Sequence, residues 1–106
     1  MRNRLLSLLL LSLYGSMLFA QEPLDINDVE RVPLGDFTYQ WRNIYDRTPL
    51  HGKCRIILSY RSYTIAHFNK DGILDGLYEK YEDNHLVQKL TYVKGILRGK
   101  GYEYYT

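Results

Sequence analysis

Gly76-Leu77-Tyr78-Glu79-Lys80-Tyr81-Glu82-Asp83-Asn84-His85-Leu86-Val87-Gln88-Lys89-Leu90-Thr91-Tyr92-Val93-Lys94-Gly95-Ile96-Leu97-Arg98-Gly99 is the stretch whose reading decides the fold. Asp83-Asn84 and Lys94-Gly95 each supply two residues that tolerate positive φ, as a two-residue type I′ turn requires. The runs on either side of these turns have strand length and are rich in Tyr, Val, Ile and Thr. Between His85 and Val93, Leu86, Leu90 and Tyr92 alternate with Val87, Lys89 and Thr91, the period-2 pattern of a strand. Outward from there, Arg55, Ser59 and Arg61 alternate with Ile56, Leu58 and Tyr60, and Asp71-Gly72 offers a third two-residue turn. After Ala20 no window carries a 3.6-residue apolar stripe. The fold class predicted is all-β, an antiparallel meander of repeated β-hairpins.

A repeat underlies the pattern. Gly52, Gly76 and Gly99 are spaced 24 and 23 residues apart, with Leu50, Leu74 and Leu97 two residues before them. Tyr45, Phe68 and Tyr92 stand seven or eight residues before each glycine, and both Gly52 to Phe68 and Gly76 to Tyr92 span 16 residues. The repeat domain, residues 35–106, divides into a degenerate unit 35–51, units 52–75 and 76–98, and a truncated unit 99–106. A strand glycine marks a bend, a bulge or a close backbone approach, so its recurrence predicts a kink at one place in each unit. Phe68, Tyr78, Tyr81 and Tyr92 read as structural rings of such units. Tyr39 and Trp41, in the least repeat-like unit, are the candidate partner-contact residues, because tyrosine and tryptophan are favoured at interfaces.

The first 20 residues read as a secretory signal peptide and helix, not as part of the fold. Arg2 and Arg4 precede an apolar run beginning at Leu5, and Ala20 closes the segment before Gln21. From Leu5 to Ala20 is 16 residues, short of the roughly 20 that a spanning helix needs. Kept uncleaved, the segment is the chain's one expected membrane attachment. Residues 21–34 show no strand pattern and read as an extended leader. Removing Arg2 and Arg4 from the 14 basic residues leaves 12 against 12 acidic ones. That neutral balance lacks the basic stripe used to displace counterions, so nucleic acid is not an expected partner. An exported domain this small usually carries disulfides, yet Cys54 is the single cysteine and alternates with Ile56 and Leu58 as a buried apolar residue.

Gly76-Leu77-Tyr78-Glu79-Lys80-Tyr81 and Tyr92-Val93-Lys94-Gly95-Ile96-Leu97-Arg98-Gly99 resemble the bacterial variant of the MORN (membrane occupation and recognition nexus) repeat. The resemblance runs over about residues 50–105, and the unit from Gly52 departs from it, with Cys54 and Ile57 where rings are expected. It implies a curved, single-layer sheet of stacked hairpins. Bacterial members of that family are often labelled antitoxin components, which implies an antitoxin-like or immunity function as an alternative.

The remaining chemistry is sparse. His51 and Cys54 are spaced like half a zinc site, but a closed site needs two such pairs. Cys–His catalysis needs a base beside the thiol, and His67 and His85 read as surface strand-end residues. Asn69-Lys70-Asp71-Gly72 lacks the spacing of a calcium loop. Glu79, Glu82 and Asp83 read as solvated positions, although a small envelope enzyme acting on glycan or peptide would use such carboxylates. No catalytic residue, metal or cofactor is therefore expected. The leading expectation is an exported, non-enzymatic binding or scaffold protein in the periplasm, at the cell surface or secreted, with a protein or cell-envelope component as partner. Self-association through a C-terminal edge strand, residues 99–106, is also expected.

Overall fold

The structure, a computed structural model, describes residues 22–104, so the expected signal segment at 1–20 lies outside the described residues. The described chain is mostly β, with no α-helix among the described residues. The elements are β1 (Leu24–Asp25), a 3-10 turn (Ile26–Asp28), β2 (Val29–Gly35), β3 (Thr38–Asn43), β4 (Gly52–Ser59), β5 (Ser62–Phe68), β6 (Leu74–Glu82), β7 (His85–Val93), β8 (Ile96–Leu97) and β9 (Tyr102–Glu103). They form two sheets. In the larger, β4 to β8 lie side by side in chain order, β1 joins the outer edge of β4 in parallel, and β9 joins β7 beside β8. β2 and β3 form the smaller, antiparallel sheet.

Two of the expected turns form as the sequence predicts. Asp83 and Asn84 have φ of 49° and 64°, and Lys94 and Gly95 have 50° and 85°, the left-handed pairs of a type I′ hairpin. Asp71-Gly72 does not make a two-residue turn. Five residues separate β5 from β6 there, because the Asn69 side chain takes over the capping: its Oδ1 accepts the N–H groups of Asp71 at 2.9 Å and Ile73 at 3.1 Å.

The recurring glycines all have positive φ, 75° at Gly52, 125° at Gly76 and 69° at Gly99. Gly52 opens β4 opposite Phe68, and Gly76 lies within β6 opposite Tyr92. Gly99 corrects the expectation that all three sit inside strands, since it falls between β8 and β9. The leader is corrected too. Although residues 21–34 show no strand pattern, Val29–Gly35 pairs with Thr38–Asn43 over its length, because the pairing is set by β3 and not by alternation within β2.

The core lies on one face of the larger sheet. Alternate residues Cys54 and Ile56 of β4 meet Ala66 and Thr64 of β5, with Phe68 and Leu74 beyond. Ile56 and Ala66 have no exposed surface at all. Trp41 from β3 and Leu50 from the following loop close this face, and the Trp41 ring packs 5.5 Å from that of Phe68. The single-layer sheet expected from the resemblance is therefore corrected: a hairpin covers part of one face. Tyr60, expected to share the inward set with Ile56 and Leu58, is 94% exposed because β4 ends at Ser59.

Docking of the smaller sheet is fixed by backbone contacts. Trp41 N–H donates to the Gly72 carbonyl at 2.8 Å, and the Gln40 side-chain Nε2 donates to the Asp71 backbone carbonyl at 3.0 Å. A Cβ at Gly72 would stand 2.5 Å from the Trp41 carbonyl oxygen, and φ there is +76°. Gly72→Ala thus meets a steric and a conformational penalty together. Trp41→Ala is expected to lower unfolding free energy by about 3–5 kcal/mol, as for other large-to-small core changes, and Gly72→Ala by more than about 1 kcal/mol. Denaturant titration of each variant measures these losses, and an unshifted midpoint for Trp41→Ala would remove it from the core.

Candidate functional site

The face of the larger sheet opposite the core carries a row of paired residues across four strands: Ile57, Tyr63, Tyr81 and Leu86 are consecutive cross-strand partners. A bulge between Lys80 and Tyr81 brings Leu86 into this row, opposite Tyr81, so Leu86 does not keep the company of Leu90 and Tyr92 that simple alternation predicts. The next row is Arg55, Ile65, Glu79 and Lys89. Period 2 in each strand aligns these rows on one side of the sheet.

Three side chains of these rows form a stack. The Tyr63 and Tyr81 rings lie 5.0 Å apart at 12°, nearly parallel, and the Arg55 guanidinium stands 4.2 Å from the Tyr63 ring centre. Each contact contributes on the order of 0.5–1.5 kcal/mol. Partial burial, the nearby charge of Glu79 and a hydrogen bond to its carboxylate push the Tyr81 phenol above its usual value. The stack therefore presents hydroxyls, a fixed guanidinium and a carboxylate over an apolar base. Beside it, an open basin of about 330 Å³ is lined by Arg55, Tyr60, Arg61, Ser62, Tyr63 and Asn84, among others. Arg61 reaches Asp83 at 3.6 Å with both side chains more than 60% exposed, a pairing of little energetic weight.

A second concavity lies between the smaller sheet and β6–β7. It holds about 180 Å³ and is lined by Arg31, Phe37, Tyr39, Trp41, Leu74, Tyr92 and Gly95. The two contact candidates from the sequence, Tyr39 and Trp41, both border it. Tyr39 is 43% exposed, whereas Trp41 is 8% exposed and belongs to the core, so it is not the free surface ring expected of a contact residue. Trp41 packs on Phe68, whereas Tyr39, two residues earlier on the same side of β3, lies nearer the Asp36-Phe37 turn.

Tyr78 and Tyr92 make an edge-to-face pair at 6.1 Å and are partly buried against the core. Tyr81 is instead on the uncovered face, within the stack. Sequence reasoning missed Arg55, Tyr63, Arg31 and Phe37. The signal for Arg55 and Tyr63 was the pairing register of β4 and β5, which alternation alone does not set.

Cys54 is buried, and its thiol donates to the His51 carbonyl at 3.7 Å. Burial pushes the Cys54 thiol up. Among the described residues no group of three or more His, Cys, Asp or Glu lies close enough to hold a metal ion. No family model, curated protein or solved structure matches this chain.

Burial is also the largest cause raising the Tyr78 phenol, ahead of the neighbouring Tyr92, and Thr64 and Arg31 oppose it. A raised folded value means that folding favours the neutral form. The unfolded chain then loses these protons first, so this stabilisation is complete below the ordinary thiol and phenol range and is lost as pH climbs through it. Stability is expected to be level to about pH 8 and to fall above about pH 8.5–10, with a smaller alkaline loss in Tyr78→Phe. Thermal melts across that range check this, and a loss unchanged by Tyr78→Phe would assign it elsewhere.

Proposed function

We propose that this chain is an exported binding or scaffold protein that engages a protein or cell-envelope component without catalysing a reaction on it. The observation that carries the reading is the Arg55–Tyr63–Tyr81 stack on the uncovered sheet face. Stacked rings offer rigid contact area with little entropy to lose, and tyrosine and arginine are the residues that dominate interface energetics. Arg55 makes no ion pair among the described residues, so its guanidinium is already oriented and still available to a carboxylate or carbonyl. The basic and apolar start of the sequence supports export, and the glycine and tyrosine spacing supports a hairpin-repeat reading of β4 to β7.

Two measurements test the proposal. The mass of the protein recovered from the envelope or medium is expected to correspond to a chain beginning at Gln21, and an intact Met1 start in the cytosol would sink the export reading. Capture from envelope extracts is expected to enrich a component that Arg55→Glu or Tyr81→Ala loses by tenfold or more, which about 1.4 kcal/mol of contact energy accounts for. Both positions lie off the core face, so circular dichroism should be unchanged. A component retained equally by both variants would show that this face is not the binding surface.

A further inference from the structure

The concavity between the smaller sheet and β6–β7 has three properties that the fold does not require. Its rim residue, Phe37, is 95% exposed. Phe37 also sits at φ +65° in the two-residue turn Asp36-Phe37, with Asp36 at φ +52°. A type I′ turn favours Asn and Gly at these positions, and a bulky residue there is strained. An aromatic ring at once strained and fully solvated is a local rule broken without structural return, and such positions mark function.

The second property is Arg31. Its guanidinium stands 5.4 Å from the Trp41 ring and 5.8 Å from the Tyr39 ring. Arg31 faces Trp41 directly across the β2–β3 ladder. The Trp41 N–H donates to Gly72 and its carbonyl accepts from Leu50, both away from β2. Arg31 and Trp41 are therefore a non-hydrogen-bonded pair, the type in which side chains approach most closely. Among the described residues Arg31 has no carboxylate partner. Among the described residues it is the one charged residue lining the concavity. The third property is size, about 180 Å³, where an apolar cavity of about 150 Å³ suffices for benzene.

We infer that this groove, a site separate from the Arg55 face, captures the C-terminal residue of a partner polypeptide, with its apolar side chain against Phe37, Tyr39 and Tyr92 and its α-carboxylate on Arg31. A ring-sized space beside one unneutralised guanidinium demands an anion a few bonds from an apolar group. An apolar chain terminus carries both on the same residue, whereas an internal Asp or Glu brings its charge without the apolar group. The rings hold Arg31 in place without neutralising it, so a carboxylate meets a pre-oriented bidentate donor.

Trp41 is the chain's single tryptophan and borders the groove, so its fluorescence reports occupancy. The full chain is titrated with an acetylated pentapeptide ending in Phe, as the free acid and as the amide, and with phenylpropionate as a small aromatic acid. The expected result is a saturable change with the acid peptide, at least about tenfold weaker for the amide and for Arg31→Gln. Phe37→Gly is expected to weaken binding while melting at the same or a higher temperature, because glycine relieves the strain. A purely structural Phe37 would not separate these two readouts. Equal affinity for acid and amide, or no saturable change with either, overturns the proposal. Binding of phenylpropionate without the peptide overturns it in favour of a small-ligand site.

Discussion

The packing of Trp41 on Phe68 is the contact on which the rest of the structure depends. A sheet must bury one face against a second layer, and an isolated hairpin is marginal in water. Here the two problems solve each other. β2–β3 supplies the cover through Trp41 and Leu50, and the larger sheet supplies the surface that makes the hairpin stable. Both edges of β3 are used: β2 pairs with one, and on the other the Trp41 backbone bonds to Gly72 and Leu50. The only residue fitting beneath that carbonyl is one without a Cβ, so Gly72 ties the turn between β5 and β6 to the lid.

This cover is local, and its limits shape the molecule. The buried residues belong to β3–β6, the loop before β4 and Gly72 of the turn before β6, while no residue of β7, β8 or β9 is buried. Val93, Ile96, Leu97, Tyr102 and Tyr104 are each 43–54% exposed. Burial thus declines from the lidded end of the sheet toward the C-terminal edge. Opening free energies follow burial and backbone protection, so β8 and β9 are the elements of least local stability. Among the described residues nothing covers the opposite face of the sheet. Its tyrosines are therefore not needed to build the core, which frees them to form the Arg55–Tyr63–Tyr81 stack.

Sequence pattern and structure agree where the signal is local. Turn chemistry at Asp83-Asn84 and Lys94-Gly95 depends on two residues each, and both pairs adopt the φ they were read to adopt. Burial of Cys54 follows from alternation with Ile56. The strand β2 was illegible because Val29–Gly35 is an edge segment with mixed exposure, so its pairing partner and not its own period defines it. Trp41 reads as a contact residue because its segment lacks the glycine and ring spacing of the later ones, yet that segment folds back over the larger sheet and buries Trp41. Arg55 and Tyr63 could not be found at all without register. A bulge of one residue, as at Lys80/Tyr81, changes which side chains share a face, and single-sequence alternation does not reveal bulges.

The way guanidinium groups are held separates structural from available charge in this chain. Arg42 bonds Glu30 across β2–β3 at 2.5 Å, with both half-buried, and its charge is satisfied within the fold. Arg31 and Arg55 are held by rings alone. A ring fixes a guanidinium in position through its quadrupole but leaves the N–H fork open, whereas a carboxylate fills it. Carboxylates are not scarce, since residues 21–106 carry equal numbers of acidic and basic side chains. That two arginines on opposite sides of the larger sheet nevertheless face tyrosine and tryptophan instead of Asp or Glu makes their open donors the feature that folding explains least.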